Sequence, residues 1–426
     1  MKIDEVFIEN FKGIDSIRFK PKLLNVIVGR NNTGKTSILE ALLIALDPDF
    51  TEKNYPEFPS SIINYLVNSS RISVSFSNKK KSTNDVVIEK VDAQVIIDKM
   101  SNSVLENIKS FQDELGKPSS SKRYISKNLK FTSGLAKADI AKFQESIQTA
   151  LADQLTPEVI NRLRQECVAI NVGNEENLFY GEEFRKYQER LTLTVFENLY
   201  KKSFGAEWNI IRDIFLFSRY GTAKILETNK INKRRDGPEI VYIKNSTQYL
   251  KGILSKEQGI QELALNIEEI LKKDKIVPNL SRFDFTEVVF ETVKGRKSVK
   301  FNRMGDGFQT LVAVISILIS IDNTRTILLI EEPEVHMHPG YVNELVKYLA
   351  QVSASLNVQL FITTHSYDLI QSLFEGDYDS NLQKYLRENL LLLRLTKTDD
   401  SVIGESLLYD EAESNTYNLQ LDLRGI

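Results

Sequence analysis

Eight consecutive residues, Gly29-Arg30-Asn31-Asn32-Thr33-Gly34-Lys35-Thr36, fit the pattern G-x-x-x-x-G-K-[ST], and Ser37 follows them. They come directly after LLNVIVG, a short continuous apolar run of the kind found in strands buried on both faces. A helical pattern from Ser37 to Leu46 follows, ended by Asp47-Pro48. A buried strand, a glycine turn and a helix in that order make a phosphate site. The glycines let backbone N–H groups curl round phosphate oxygens, and the helix start adds free N–H groups and the positive end of its dipole. Lys35 reaches the β- and γ-phosphates as a point charge, and the Thr36 hydroxyl ligates Mg²⁺. A plain turn between strand and helix would explain the glycines but not the lysine. The residues from Gly29 to Ser37 are therefore expected to bind ATP with Mg²⁺.

Two more apolar runs, TILLIEE near residue 326 and VQLFITTHS near residue 358, alternate with helical patterns at Gln309 to Ile321 and Tyr341 to Leu356. With the run near residue 24 they favour a parallel sheet with helices on both faces. In such a sheet the carboxyl ends of the strands face the ligand crevice, the edge that carries the phosphate loop. There the second run presents Glu331 and Glu332. Strand alternation would point the two side chains apart, so Glu331 is expected to ligate Mg²⁺ and Glu332 to act as general base. Solvated acids at a strand end are the plain alternative, weakened by the phosphate loop beside them. The third run ends in Thr363-Thr364-His365-Ser366. A lone histidine there is ordinarily structural; on this edge His365 can hydrogen-bond a γ-phosphate or the attacking water.

Read together, IENFKGI, GRNNTGKTS, EEPEVHMHP and TTHS resemble the ATPase heads of the SMC/RecF-type ABC superfamily, and within it the overcoming-lysogenization-defect (OLD) branch. Glu in place of the usual Asp at the metal position is similar to that branch rather than to transporter ABC proteins. The resemblance covers roughly residues 1–98 and 236–375. It implies an α/β fold, an ABC-type P-loop ATPase head with a mixed sheet and helices on both faces, interrupted by a mostly helical insertion. It also implies a signature loop acting in trans across a head-to-tail dimer that sandwiches ATP. NRMGDGFQ is the candidate, through Gly305, Asp306 and Gly307, although Asn302, Arg303 and Met304 stand where a serine would precede the glycines. A hairpin-to-helix turn is the alternative reading. Glu334, His336 and His338 lack the further ligands of a closed zinc site; the resemblance gives them supporting and dimer-contact roles.

The expected division is residues 1–98, the head's first part; 99–235, a helical insertion; and 236–426, the head's second part with an acidic tail. The insertion carries the stripe Phe184, Tyr187, Leu191, Val195, Leu199, with similar stripes at Ala136 to Leu155 and Glu207 to Phe217. Strands are expected over Arg71 to Phe76 and Val86 to Ile97, joined by a lysine turn, then at Glu239 to Ile243 and in the hairpin FTEVVFETVKGRKSVKFN. LLLLRL in the tail is expected to pair with the ATPase sheet and cover an edge.

Composition limits the partners. The 55 basic and 58 acidic residues leave a net charge of −3, so no global field draws the chain onto DNA or membranes. Basic segments 117–130, 228–235 and 294–300 would be local phosphate contacts or simply solvated loops. One cysteine, Cys167, excludes an intramolecular disulfide and fits a reducing cytoplasm. The charged, alternating start lacks the apolar core of a secretory signal, and Leu311 to Ile321 is about half of a ~20-residue membrane span, so a cytoplasmic protein is expected.

The resemblance implies an ATP-driven switch with a DNA-related output: defence against phage or plasmids, or RecF-type repair. A transporter subunit is disfavoured by the insertion and the absent serine, and a kinase by the paired acids and histidine. An ATP-locked scaffold with little turnover is the other alternative. OLD-type nucleases carry a TOPRIM domain after the histidine loop, a fold of on the order of 100 residues, and the stretch after Ser366 is shorter. The chain is accordingly expected to be a homodimeric ATPase and sensor that does not itself cut DNA and signals to a separately encoded effector.

Overall fold

The computed structural model describes residues 1–47, 50, 59–64, 66–77, 82–115, 149, 153–172, 175–204, 238–244, 246–255, 259–273, 277, 279–320, 326–398 and 401–417. In chain order these form β1 (Ile3–Phe11), β2 (Ile14–Phe19), β3 (Leu24–Val28), α1 (Lys35–Leu46), β4 (Ser69–Phe76) and β5 (Ser82–Lys90). Next come α2 (Ala93–Leu115), α3 (Pro157–Gln165), β6 (Cys167–Val172), β7 (Glu175–Tyr180), α4 (Glu182–Phe204), β8 (Glu239–Ile243), α5 (Ser246–Leu254) and α6 (Ile260–Lys273). There follow β9 (Leu280–Phe283), β10 (Glu287–Thr292), β11 (Gly295–Lys300), α7 (Asp306–Ile319), β12 (Thr326–Glu331), α8 (Pro339–Leu356) and β13 (Gln359–Thr364). The last elements are α9 (Tyr367–Glu375), α10 (Ser380–Asn389), β14 (Leu390–Lys397), β15 (Val402–Leu408) and α11 (Tyr409–Tyr417). The chain divides into two compact units, one of Met1–Asp47, Arg71–Asp85 and Lys233–Ile426, the other of Pro48–Ser70 and Val86–Asn232.

The first unit is built on a six-stranded sheet in the order β15-β14-β3-β13-β12-β8. Its neighbours are parallel except for β15, which returns antiparallel along β14. Every residue of β3 is buried, as a strand covered on both faces requires. Val26 and Val28 of β3 share one core with Leu328, Ile330, Leu360, Ile362, Leu390 and Leu392 of the neighbouring strands. Helices α7 to α10 supply the other half of that core. The most apolar run of the sequence, from Leu311, lies mostly in α7, where Leu311 to Leu318 are buried. On the opposite face α1 packs against β13 and β8. Each fully buried Leu or Ile of these layers is worth about 1.5–3 kcal/mol, which fixes the register of the strands. This is the expected α/β P-loop head: a mixed sheet with helices on both faces. LLLLRL forms β14 and covers β3, while β15 is the outer edge. Two antiparallel groups complete the unit, β2-β1-β4 and β11-β10-β9.

The second unit packs α2, α3 and α4 with the antiparallel ladder of β5, β6 and β7. Phe184, Leu191 and Val195 of the expected stripe are buried there on α4. Two expectations are corrected. The strand drawn over Val86 to Ile97 ends at Lys90, because Asp92 accepts from the Ala93 N–H through its side chain (2.7 Å) and from the Ile96 N–H through its carbonyl (3.2 Å), starting α2. Ile96, Met100 and Val104, four apart, then form its buried face. The inserted stretch is also not helical throughout: CVAINV and EENLFY make the hairpin β6–β7, paired to β5 from Val86↔Val172 to Lys90↔Val168. The stripe at 207–217, the basic segments 117–130 and 228–235 and the lysine turn at 79–81 lie outside the described residues, as does nearly all of 136–155. Among the described residues no helix is long and apolar enough to cross a membrane.

Candidate active site

Parallel pairing brings three strand ends to one edge of the first unit. Val28, just before the phosphate loop, pairs with Thr364, and Thr363 pairs with Glu331. Gly29 is tightly enclosed: a Cβ there would lie 2.8 Å from the Leu395 carbonyl oxygen on β14. Asn32 (φ 65°) and Gly34 (φ 85°) take left-handed backbone, and the Thr33 hydroxyl donates to the Arg30 carbonyl (2.8 Å) to close the turn. Gly34 caps α1 without a side chain, and the first turn of α1 holds no acid, so the helix supplies no anion of its own to the free N–H groups at its start. The Lys35 ammonium, 6% exposed, donates to the carbonyls of Gly29 (2.9 Å) and Arg30 (3.0 Å). Burial lowers its proton affinity, opposed by the carboxylates of Glu332 and Glu334.

Glu331 is the last residue of β12 and shares its strand face with Leu329, whose partner on β8 is Tyr242. The Tyr242 hydroxyl donates to Glu331 Oε1. Burial raises the proton affinity of the Glu331 carboxyl and likewise of the Tyr242 phenol. The Glu331 carboxylate and the Thr36 hydroxyl are hard oxygen donors, the class that Mg²⁺ takes, so this donor set fits the metal.

Glu332 stands beyond the strand with φ 40°, its N–H donating to the Thr363 carbonyl (3.0 Å). Strand alternation is therefore not what separates the two acids; a left-handed residue after the strand turns Glu332 back over the edge. Its Oε1 lies 2.9 Å from His365 Nδ1 and 3.8 Å from the Lys35 ammonium. Lys35 and His365 thus converge on the Glu332 carboxylate, and Glu331 stands apart on Tyr242.

Gly305 starts α7 without a side-chain cap, Asp306 is exposed and Gly307 is buried. A Cβ on Gly307 would meet the His336 carbonyl oxygen at 2.7 Å, so the start of α7 rests on the 334–338 turn. In that turn His338 caps α8, its Nδ1 accepting from the Gly340 N–H (3.2 Å), and His336 takes φ 68°. Glu334 is 6% exposed, accepts from the Thr364 hydroxyl through Oε1, and leaves Oε2 buried without a hydrogen-bond partner from another residue among the described ones. Burial raises its carboxyl to about 7. Among the described residues no group of three His, Cys, Asp or Glu side chains is placed to hold a metal ion by itself.

Sequence reading missed Tyr242 and Thr364 as partners of Glu331 and Glu334, and Leu395 as a wall of the loop. The signal for Tyr242 is slight: it is the polar-tipped residue of an otherwise apolar strand end. Nothing local marks Leu395.

Residues 1–370 match the AAA ATPase domain family. The chain is similar to Endonuclease GajA of Bacillus cereus (strain HuB5-5), 23% identical over 430 residues, covering 89% of this chain and 57% of that protein. It thus spans little more than half the length of that relative. It is also 28% identical over 122 residues to an uncharacterized protein, MJECL11, of Methanocaldococcus jannaschii, covering 29% of this chain and 100% of that protein. Among solved structures, the SMC head domain from Thermotoga maritima aligns at 10% identity over 96% of this chain and 99% of that one, with a TM-score of 0.42. An SmcHead bound to the C-winged helix domain of ScpA aligns at 12% identity over 97% and 100%, with a TM-score of 0.47.

Proposed function

The chain belongs to the AAA ATPase domain family, and on that premise we propose that it is an ATP-hydrolysing switch that closes a head-to-tail homodimer on ATP and reopens it on hydrolysis. The observation that carries this reading is the convergence of Lys35, Glu332 and His365 beside the Gly29–Thr36 loop. The loop N–H groups and the start of α1 receive the phosphates. Lys35 exchanges the carbonyls of Gly29 and Arg30 for phosphate oxygens. Glu332 accepts the proton of the attacking water, and His365 holds that carboxylate in place through Nδ1. Thr36 and Glu331 would hold Mg²⁺, whose charge neutralises the phosphates. Gly305, Asp306 and Gly307 contact the partner's nucleotide in trans.

The output is DNA-related, most directly defence against phage or plasmids. What supports this is the OLD-like wording of GRNNTGKTS, EEPEVHMHP and TTHS and the weak similarity to an endonuclease. In this reading residues 99–235 and the acidic tail dock a separately encoded effector in the cytoplasm, and cutting chemistry belongs to that effector. Phosphate release measured with and without double-stranded DNA tests the proposal. Turnover that DNA changes supports the DNA-linked switch; ATP binding without turnover overturns it in favour of a scaffold, and turnover indifferent to DNA overturns the DNA link.

A further inference from the structure

The hydrolysis reading leaves one buried group unused. Glu334 is among the most enclosed carboxyls of the first unit, and among the described residues one of its oxygens has no hydrogen-bond partner from another residue. Enclosing a carboxyl with one oxygen left unsatisfied costs free energy. Its other oxygen accepts from the Thr364 hydroxyl. That hydroxyl oxygen in turn accepts from the Ser366 N–H (2.9 Å), and the Ser366 hydroxyl accepts from the Leu369 N–H (3.3 Å) to cap α9. His365 lies between the two residues so held, and its Nδ1 meets Glu332 at 2.9 Å. On the other side the turn bearing Glu334 is closed by the Val335 N–H on the Glu332 carbonyl (3.1 Å) and the Met337 N–H on the Glu334 carbonyl (2.9 Å). Glu334 therefore ties the turn after Glu332 to the turn that carries His365.

We propose that Glu334, acting through the Thr364 hydroxyl, is a positioning residue that keeps His365 in register with Glu332 for hydrolysis. The inference rests on the ATPase reading above. It requires an acceptor on residue 334, not a charge, because the link is a single O–H donated by Thr364. A loosened His365 turn would leave the phosphate loop intact. Nucleotide binding should persist while the step that needs Glu332 and His365 slows.

The test is steady-state turnover and nucleotide calorimetry on the full chain carrying E334L, T364V, both together, or E334Q. E334L and T364V should each lower kcat by on the order of 10- to 100-fold, the scale of a 1 Å misplacement, with KM and nucleotide Kd within about twofold. The double variant should be no slower than the slower single, since both remove one link. E334Q, which keeps the acceptor, should restore turnover to near the wild-type value. Wild-type kcat in T364V, E334Q as slow as E334L, or nucleotide affinity lost in step with kcat would each overturn the assignment. Should E334L fail to fold, T364V, which deletes one hydroxyl, carries the test. E332Q separates the two readings: unchanged turnover there sinks the general-base reading, whereas a slow E332Q beside a wild-type-like T364V sinks only the role of Glu334.

Discussion

Replacing Glu332 by Gln should move binding and turnover in opposite directions. The Glu332 carboxylate lies 3.8 Å from the Lys35 ammonium, which also donates to the Gly29 and Arg30 carbonyls. Nucleotide must draw Lys35 away from all three. Coulomb attraction at that distance is about 4 kcal/mol at an effective dielectric near 20 and about 1 kcal/mol in water. The Glu332 side chain is 32% exposed, so the lower part of that range applies. Removing the charge should then tighten nucleotide binding by up to about tenfold, the equivalent of ~1.4 kcal/mol. Gln keeps the shape and a hydrogen bond to His365 but cannot accept the water proton. Turnover should fall by a factor of order 10² to 10⁴, about 3–5 kcal/mol of transition-state stabilisation. Calorimetry with ATP and Mg²⁺ gives the first quantity and single-turnover phosphate release the second; the ATP-closed dimer should accumulate in size-exclusion chromatography. Turnover within threefold of wild type would refute the reasoning and make His365 the next candidate base. Weakened nucleotide binding would refute the competition between Glu332 and phosphate for Lys35.

Lys35→Ala should abolish measurable ATP binding in calorimetry, because the buried ammonium is the loop's dedicated cation for phosphate. Tyr242→Phe frees Glu331 of its buried donor and should raise the Mg²⁺ concentration needed for half-maximal turnover severalfold, with the nucleotide Kd little changed. Glu334 makes stability depend on pH. Its carboxyl is raised from an ordinary 4.5 to about 7 in the native state, so the native chain binds more protons than the unfolded one between those values. The stabilisation is complete below about 4.5 and lost as pH rises through about 7, by roughly 3 kcal/mol at most. Denaturant midpoints should therefore favour E334Q over wild type more at pH 8.5 than at pH 5; an equal difference at both would contradict the burial argument. Leu392→Ala, at the centre of β14 and fully buried, should cost about 2–5 kcal/mol in the same measurement, whereas a dispensable tail strand would lose almost nothing.

The sequence alone determined the parts whose physics is local. A glycine turn, a lysine and a hydroxyl at fixed spacing between a buried strand and a helix have few other uses. Three continuous apolar runs alternating with helices allow little but a parallel sheet, and Glu331, Glu332 and His365 could be placed on one edge because parallel strands end together. Tertiary structure decided what those groups meet. Whether Glu332 turns toward Lys35 depends on a left-handed residue held by the Thr363 carbonyl, contributed by a strand some thirty residues away. Tyr242 reaches Glu331, and Thr364 reaches Glu334, only through the register of strands distant in sequence. Leu395 walls the phosphate loop from β14, far along the chain from Gly29. The hairpin β6–β7 forms in a stretch of mostly helical character because β5 offers it an edge. A side chain's type is written at its own position, but its partner and its proton affinity are set by whichever segments burial brings against it.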